Sequence, residues 1–290
     1  MTHTITARDV PELRANMSAD SVDFSKKFPG HHQWYPSHNA ADLFWIAKDM
    51  RRLAESAAAT LPEYTVRVED MPSEHGILVW EEVVDGAAGF AWKTVGGVVV
   101  LTVLVPRHTA IDIMARTLND PTVTRRLENS PVRALLWSEM EIPLPIGSVV
   151  KPGDLVLNTT LKADEDSRWA DLMPRMAVTL WLLMGQTLAA REIVRPSRAG
   201  MKRLARLNPN LLTETRYVTL RHAKLPQAEG AGEGGGVHYS VQWAVKGHWR
   251  YIEDKQNPAY RRPVWVRPHI KGPEGAPLLD PSKLVNVLRK

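Results

Sequence analysis

The chain contains no cysteine among its 290 residues. That removes a disulfide framework, a thiol nucleophile and any zinc site built on thiolates. Long apolar runs are missing too. The longest nearly apolar stretch, Met176 to Met184, is far shorter than the roughly 18 residues that mark a membrane span. Met1 to Asp20 has no basic stretch leading into an apolar one, so it does not read as a signal peptide, and a cytoplasmic location without membrane contact is expected. The common signatures of chemistry are absent as well. There is no pair of histidines around a glutamate, no P-loop, no dinucleotide fingerprint and no G-x-S-x-G elbow. No organic cofactor is expected.

What is present describes a globular protein. Hydrophobic residues make up 44% and charged residues 24%, enough for a real core despite 21 prolines. The length allows one large domain or two of ordinary size. The net charge of +5 conceals an asymmetry: residues 191–290 hold 19 Lys and Arg against 8 Asp and Glu, while residues 1–190 hold 18 against 24. A basic third on an acidic remainder points to an anionic partner for one end, or to attraction between the two parts.

Periodicity gives an α+β reading. Residues 1–36 show little pattern. Asn39 resembles an N-cap, and Leu43, Ile46, Ala47, Met50, Leu53, Ala54 and Ala57 follow at helical spacing, predicting a helix over 39–60. Strands are expected at 64–68, 77–84, 90–95 and 98–105, with turn residues at Asp85-Gly86 and Gly96-Gly97. A short helix is expected over 109–118, another after Asp120-Pro121, and strands at 133–142 and 155–160. Trp169 to Glu192 is too apolar for a surface helix and reads as a buried core helix. Pro196 opens a helix to about Leu207 that carries Arg198, Lys202, Arg203 and Arg206, three of them on one face. This face is either solvated or in contact with phosphate. Strands return at 216–221, 239–245 and 264–266, with a glycine-rich loop at 230–236. The expected fold is a mixed or antiparallel sheet packed on the core helix, with a basic β-rich module at the C-terminus. The expected domains are 1–165 and 166–290.

Chemistry concentrates in that module. Lys246-Gly247-His248-Trp249-Arg250 is followed by Arg262-Pro263-Val264-Trp265-Val266-Arg267-Pro268-His269-Ile270-Lys271. Arg and Lys neutralise phosphates and release counterions. Trp can stack on unpaired bases. A pair of imidazoles is suited to act as base and acid, with Lys271 beside them. Such a set could cleave RNA through its 2′-hydroxyl without a metal; a metal-dependent route would need carboxylates, for which Glu253, Asp254 and Glu274 are the local candidates. The other reading is structural: Trp243, Trp249 and Trp265 alternate with polar residues and suit a core, and Pro268 and Pro273 make a stiff, bracing tail. His31, His32 and His38 lie in a Pro/Gly-rich stretch without an evident carboxylate and read as loop histidines.

The sequence 246–250, with Arg262-Pro-Val-Trp-Val266 and Pro268-His-Ile-Lys-Gly-Pro-Glu274, resembles a C-terminal module of uncharacterised actinobacterial and phage proteins. In looser form it resembles a type V anti-CRISPR family of phages and plasmids. The similarity covers about residues 175–277, including Trp181-Leu-Leu-Met-Gly-Gln186 and the basic helix with Arg198 and Arg203. Gly247, His248 and Trp249 carry its strongest element. Lys246 departs from the usual Arg, and Tyr251-Ile-Glu-Asp254 from the usual Asn/Gln-Tyr-Pro-like run. The resemblance implies a mobile-element effector in a bacterial host that acts on RNA, with RNA favoured over DNA and a host protein or translating ribosome as further partners. Its target does not carry over, because the resemblance does not reach the N-terminal half. On this reading His248, His269 and Lys271 are the catalytic candidates for a ribonuclease. The nucleic-acid-binding candidates are Arg198, Lys202, Arg203, Arg206, Lys246, Trp249, Arg250, Arg262 and Arg267. The alternative is a non-catalytic binding protein, such as a transcriptional regulator or host-protein inhibitor.

Overall fold

In the computed structural model the described residues are 5–27, 39–84, 86–106, 108, 125, 136–150, 163–207, 210–221, 241–253, 260–273 and 275–277. The expected elements at 109–118, after 120 and at 155–160, the loop at 230–236, His31, His32, His38, Asp254 and Glu274 lie outside them. The chain divides into two compact units at Leu220/Arg221. The sequence reading places its boundary at 165/166. The later position follows from strand pairing, which draws residues 189–220 into the sheet of the first unit.

The first unit is built on a seven-stranded mixed sheet. Its strands are β1 (Asp42–Ile46), β3 (His75–Val84), β4 (Ala87–Val95), β5 (Val98–Pro106), β6 (Leu136–Pro145), β8 (Ala189–Val194) and β9 (Thr215–Leu220). The spatial order is β6-β5-β4-β3-β1-β9-β8. β1 runs parallel to both neighbours, β3 and β9, and every other pair is antiparallel. Two-residue strands β2 (Tyr64–Thr65) and β7 (Val149–Val150) form a small separate ladder. The helices are α1 (Val10–Lys27), α2 (Lys48–Ala58), α3 (Ala163–Met184) and α4 (Arg198–Leu207).

Alternation along the strands gives the sheet two apolar faces. On one, Leu43, Trp45, Ile77, Val79, Ala91 and Leu104 meet Val10, Leu13 and Met17 of α1. On the other, Phe44, Phe90 and Trp92 form an aromatic cluster that receives Trp181 of α3. Trp181 lies 5.6 Å from Trp92 and 6.4 Å from Phe90, ring centre to ring centre. Trp92 stacks on Phe44 at 5.7 Å. Helices on both faces explain why β1 is buried throughout its apolar length.

Three expectations need correction. The predicted helix at 39–60 is instead β1 followed by α2. A short apolar run such as Leu43-Phe-Trp-Ile46 satisfies either period, and pairing with β3 and β9 decides it. The start of α2 has no side-chain cap of its own; the Lys48 N–H donates instead to Glu81 Oε2 of β3 at 2.9 Å. The core helix ends at Met184 rather than continuing to 192, because residues 189–194 leave it to form β8. Finally, the region 1–36 contains α1, whose inward face includes the fully buried Arg14. Among the described residues no helix is long and apolar enough to cross a membrane.

The second unit holds β10 (Trp243–Val245), β11 (His248–Glu253), β12 (Arg261–Val266) and β13 (His269–Lys271). β11 pairs with β12 and β10 with β13, both antiparallel. The two ladders share one register: Val245 faces His269 and His248 faces Val266, with two residues between on each strand. They are two separate two-stranded ladders in the same register, together called the ribbon, with no strand pairing at residues 246–247 and 267–268 between them. The ribbon is interrupted where Pro268, which has no N–H to donate, falls opposite Lys246.

Candidate nucleic-acid interface

The ribbon's continuous register assigns each side chain to a face, because directly opposed residues point the same way and successive residues alternate. Trp249 and Trp265 are directly opposed and pack edge-to-face, 5.3 Å between centres. Trp265 and Pro263 are buried. Gly247 belongs to the same face: a Cβ there would lie 2.4 Å from Trp265 Cζ2. This is the inner face of the ribbon. The glycine is required because the indole occupies the space its side chain would need. Gly272, at the ribbon's end, has φ of 115° and backbone 2.4 Å from any added Cβ, so it too accepts nothing larger.

The outer face carries Lys246, His248 and Arg250 from one strand, all exposed, beside half-buried Val264 and Val266 from the other. Arg262 shares that face, and exposed Ile252 and Ile270 close its two ends. The two cations of this row, Lys246 and Arg250, are four residues apart, about 13 Å in extended chain. Among the described residues of this unit the cations are Arg221, Lys246, Arg250, Arg261, Arg262, Arg267 and Lys271, and the only carboxylate is Glu253.

The geometry divides the residues singled out from sequence. His248 lies on the outer face. His269, opposite Val245, lies on the inner face three residue pairs away, about 10 Å along the ribbon. The two imidazoles are therefore not brought together around one substrate atom. Each ring is instead held by its own strand: His248 Nδ1 is 3.1 Å from the Lys246 carbonyl oxygen and His269 Nδ1 is 3.0 Å from that of Arg267. Lys271 is on the inner face with His269. Trp249 is packed on Trp265 rather than presented for stacking. Arg267 donates from Nη1 to the Arg221 carbonyl at 2.9 Å, a bracing contact.

The basic helix belongs to the first unit. Leu204 of α4 turns inward to meet Ala15 and Leu211. Arg203 makes a two-pronged ion pair with Glu12 of α1, both contacts 2.7 Å, which raises its pKa further above the ordinary arginine value. Arg203 thus ties α4 to α1. Arg198, Lys202 and Arg206 remain exposed on the other face, and no ion pair to any of them occurs among the described residues.

Elsewhere in the first unit charges are committed to one another. Arg51 bridges Glu55 at 2.9 Å and Glu82 at 3.0 Å, Lys48 also pairs with Glu82, and the two cations hold the Glu82 carboxyl below its usual range. Arg216 pairs with Asp42 at 2.7 Å, and Arg195 with Glu214. Arg14 is an exception with its own role. Its guanidinium donates to the carbonyls of Asn39, Ala41 and Leu212, and burial lowers its pKa to about 10, so it stays charged at neutral pH. It ties α1 to the segments flanking the sheet. An open hollow lined by Arg8, Ile193, Val194, Arg195 and Glu214 offers no nucleophile, and its carboxylate is paired with Arg195. Among the described residues no three His, Asp or Glu are placed to share a metal ion.

Sequence reasoning missed the phase of the ribbon. The signal was present: Trp249 and Trp265 mark one face, so Lys246, His248 and Arg250 fall on the other while His269 falls with the indoles. In comparisons with known proteins, no family model, no curated protein and no solved structure matches the chain.

Proposed function

We propose that the protein binds nucleic acid through the outer face of its C-terminal ribbon and does so without cleaving it. The observation that carries this reading is the row Lys246, His248 and Arg250. His248 and Arg250 are exposed on β11 and Lys246 is exposed just before it, in a unit whose described residues include a single carboxylate. Such a row matches a polyanion, since each phosphate it neutralises releases counterions and strengthens binding. The separation of His248 from His269 argues against concerted acid–base cleavage, which needs both groups within hydrogen-bond reach of the reacting atoms. The resemblance of residues 175–277 to mobile-element proteins is compatible with this role and supplies no target.

The test is to incubate the protein with bacterial RNA and with duplex DNA, with magnesium or with EDTA, beside His248→Ala and Lys246→Ala/Arg250→Ala. The expected result is retarded migration of intact nucleic acid by the wild type and by His248→Ala, and weaker retardation by the double variant. Cleavage that His248→Ala abolishes would overturn the non-catalytic reading. Wild-type protein that neither binds nor cleaves would overturn both.

A further inference from the structure

We infer that the outward face of α4, in the first unit, is a second contact for the phosphate backbone of nucleic acid, independent of the ribbon. The helix carries Arg198, Lys202, Arg203 and Arg206 and no carboxylate. Its orientation is fixed from within the unit: Leu204 is buried against Ala15 and Leu211, and Gly200 is buried beside it. Arg203 is committed to Glu12. At about 100° per residue, Lys202 and Arg206 each stand about 160° from Leu204 and Arg198 about 120° from it. The three are exposed and have no ion pair among the described residues. They follow one another at four-residue steps, about 6 Å each, in a line about 12 Å long. Exposed Ala199 and Ala205 border the line, so nothing bulky stands between these cations and an elongated ligand.

The protein alone gains nothing from this placement. Arg198 with Lys202, and Lys202 with Arg206, are like-charge pairs four residues apart, which destabilise a helix. Arg198 also sits in the first turn, where the helix dipole disfavours a cation. Solvated helix faces commonly mix the two signs, and this one does not. The helix N-terminus plays no part, because Ser197 already caps it: its Oγ accepts from the Gly200 N–H at 3.1 Å and its carbonyl from the Met201 N–H at 2.8 Å. A ligand with a row of negative charges turns the repulsion into attraction, and nucleic acid supplies one phosphate per nucleotide with counterions to release. A bilayer fits less well. Interfacial helices turn an apolar face to lipid, whereas Leu204 faces its own unit and the half-exposed Met201 and Leu207 stand on the shoulders, about 60° from Leu204.

The experiment follows binding of the full chain by fluorescence anisotropy across a range of salt concentrations. The probes are a mixed-sequence DNA duplex, a mixed-sequence RNA strand and poly-glutamate of matched length. Arg198→Gln/Lys202→Gln/Arg206→Gln removes the line while keeping good helix formers. At about 0.9 per phosphate contact, its salt slope on the duplex should be shallower than that of the wild type by between about two and three. Arg203→Gln changes the net charge as much as Arg206→Gln does. It should leave the slope nearly unchanged, whereas Arg206→Gln should lower it by about 0.9. Circular dichroism checks the fold, and Arg206→Gln alone decides the matter if the triple variant loses helix. Parallel lines for the triple variant and the wild type overturn the inference, and the ribbon reading stands if Lys246→Ala/Arg250→Ala is shallower. Equal slope losses in Arg203→Gln and Arg206→Gln overturn it as well, by reducing the effect to net charge. Tighter binding to poly-glutamate than to either nucleic acid overturns it in favour of an acidic protein partner. A shallower slope in the triple variant alone, with the ribbon variant parallel to the wild type, upholds the inference and removes the ribbon reading.

Discussion

The two units of this chain use charge in opposite ways. Residues 1–220 hold 25 Lys and Arg and 26 Asp and Glu, and residues 221–290 hold 12 and 6. Among the described residues of the first unit several cations are occupied. Arg51, Arg195, Arg203 and Arg216 each meet a carboxylate, and Arg14 is surrounded by carbonyls. In the second, Lys246 and Arg250 stand on an exposed face without a neighbouring acid among the described residues. Basic composition alone does not separate these cases. Arg203 and Arg250 look equally promising in a sequence, yet one holds two helices together and the other faces solvent. A cation that is bound within its own protein has already spent the electrostatic energy that a ligand would use.

Variants can break or sharpen this contrast. The largest effect is expected in the first unit's core. Trp181→Ala should cost about 3–5 kcal/mol in urea unfolding, because it empties the centre of a cluster that includes Phe90 and Trp92. Arg14→Met should cost about 3 kcal/mol, since three carbonyls lose a charged donor in a buried place. Arg14→Lys should restore little, because one ammonium cannot reproduce the fork. Gly247→Val should destabilise the ribbon by about 1–3 kcal/mol, as the new side chain displaces the Trp265 indole, and it should weaken nucleic-acid binding without removing a charge. An unaffected Trp fluorescence spectrum in that variant would contradict the inner-face assignment. Glu12→Ala should have the smallest effect: a slight loss of stability that falls with added salt, because the pair with Arg203 is exposed. It should also free Arg203 and raise non-specific affinity for anions.

The sequence revealed the strands of the sheet more clearly than its helices. Val98 to Val105 and Ile77 to Val84 carry branched residues between glycine and aspartate turns, and both are strands. β1 was hidden because its partners β3 and β9 lie about 33 and 173 residues away, from Asp42 to His75 and to Thr215, and only pairing distinguishes it from a helix turn. The start of α2 was equally hidden, since its first N–H is satisfied by Glu81 from β3. α1 escaped notice because its buried face includes an arginine. For the candidate site, the residue types were legible and their grouping was not. His248 and His269 are close in sequence, but pleating places them on opposite faces, and the same pleating turns Trp249 and Trp265 inward.

The central claim, that the outer ribbon face meets phosphate, is tested most directly by the salt dependence of nucleic-acid binding. The logarithm of affinity is plotted against the logarithm of salt concentration for the wild type and for Lys246→Ala/Arg250→Ala. Each phosphate contact contributes about 0.9 to the slope on duplex DNA, so the double variant is predicted to have a slope shallower by about two. Parallel lines for the two proteins would contradict the account, because the row that distinguishes the second unit would then not touch the ligand.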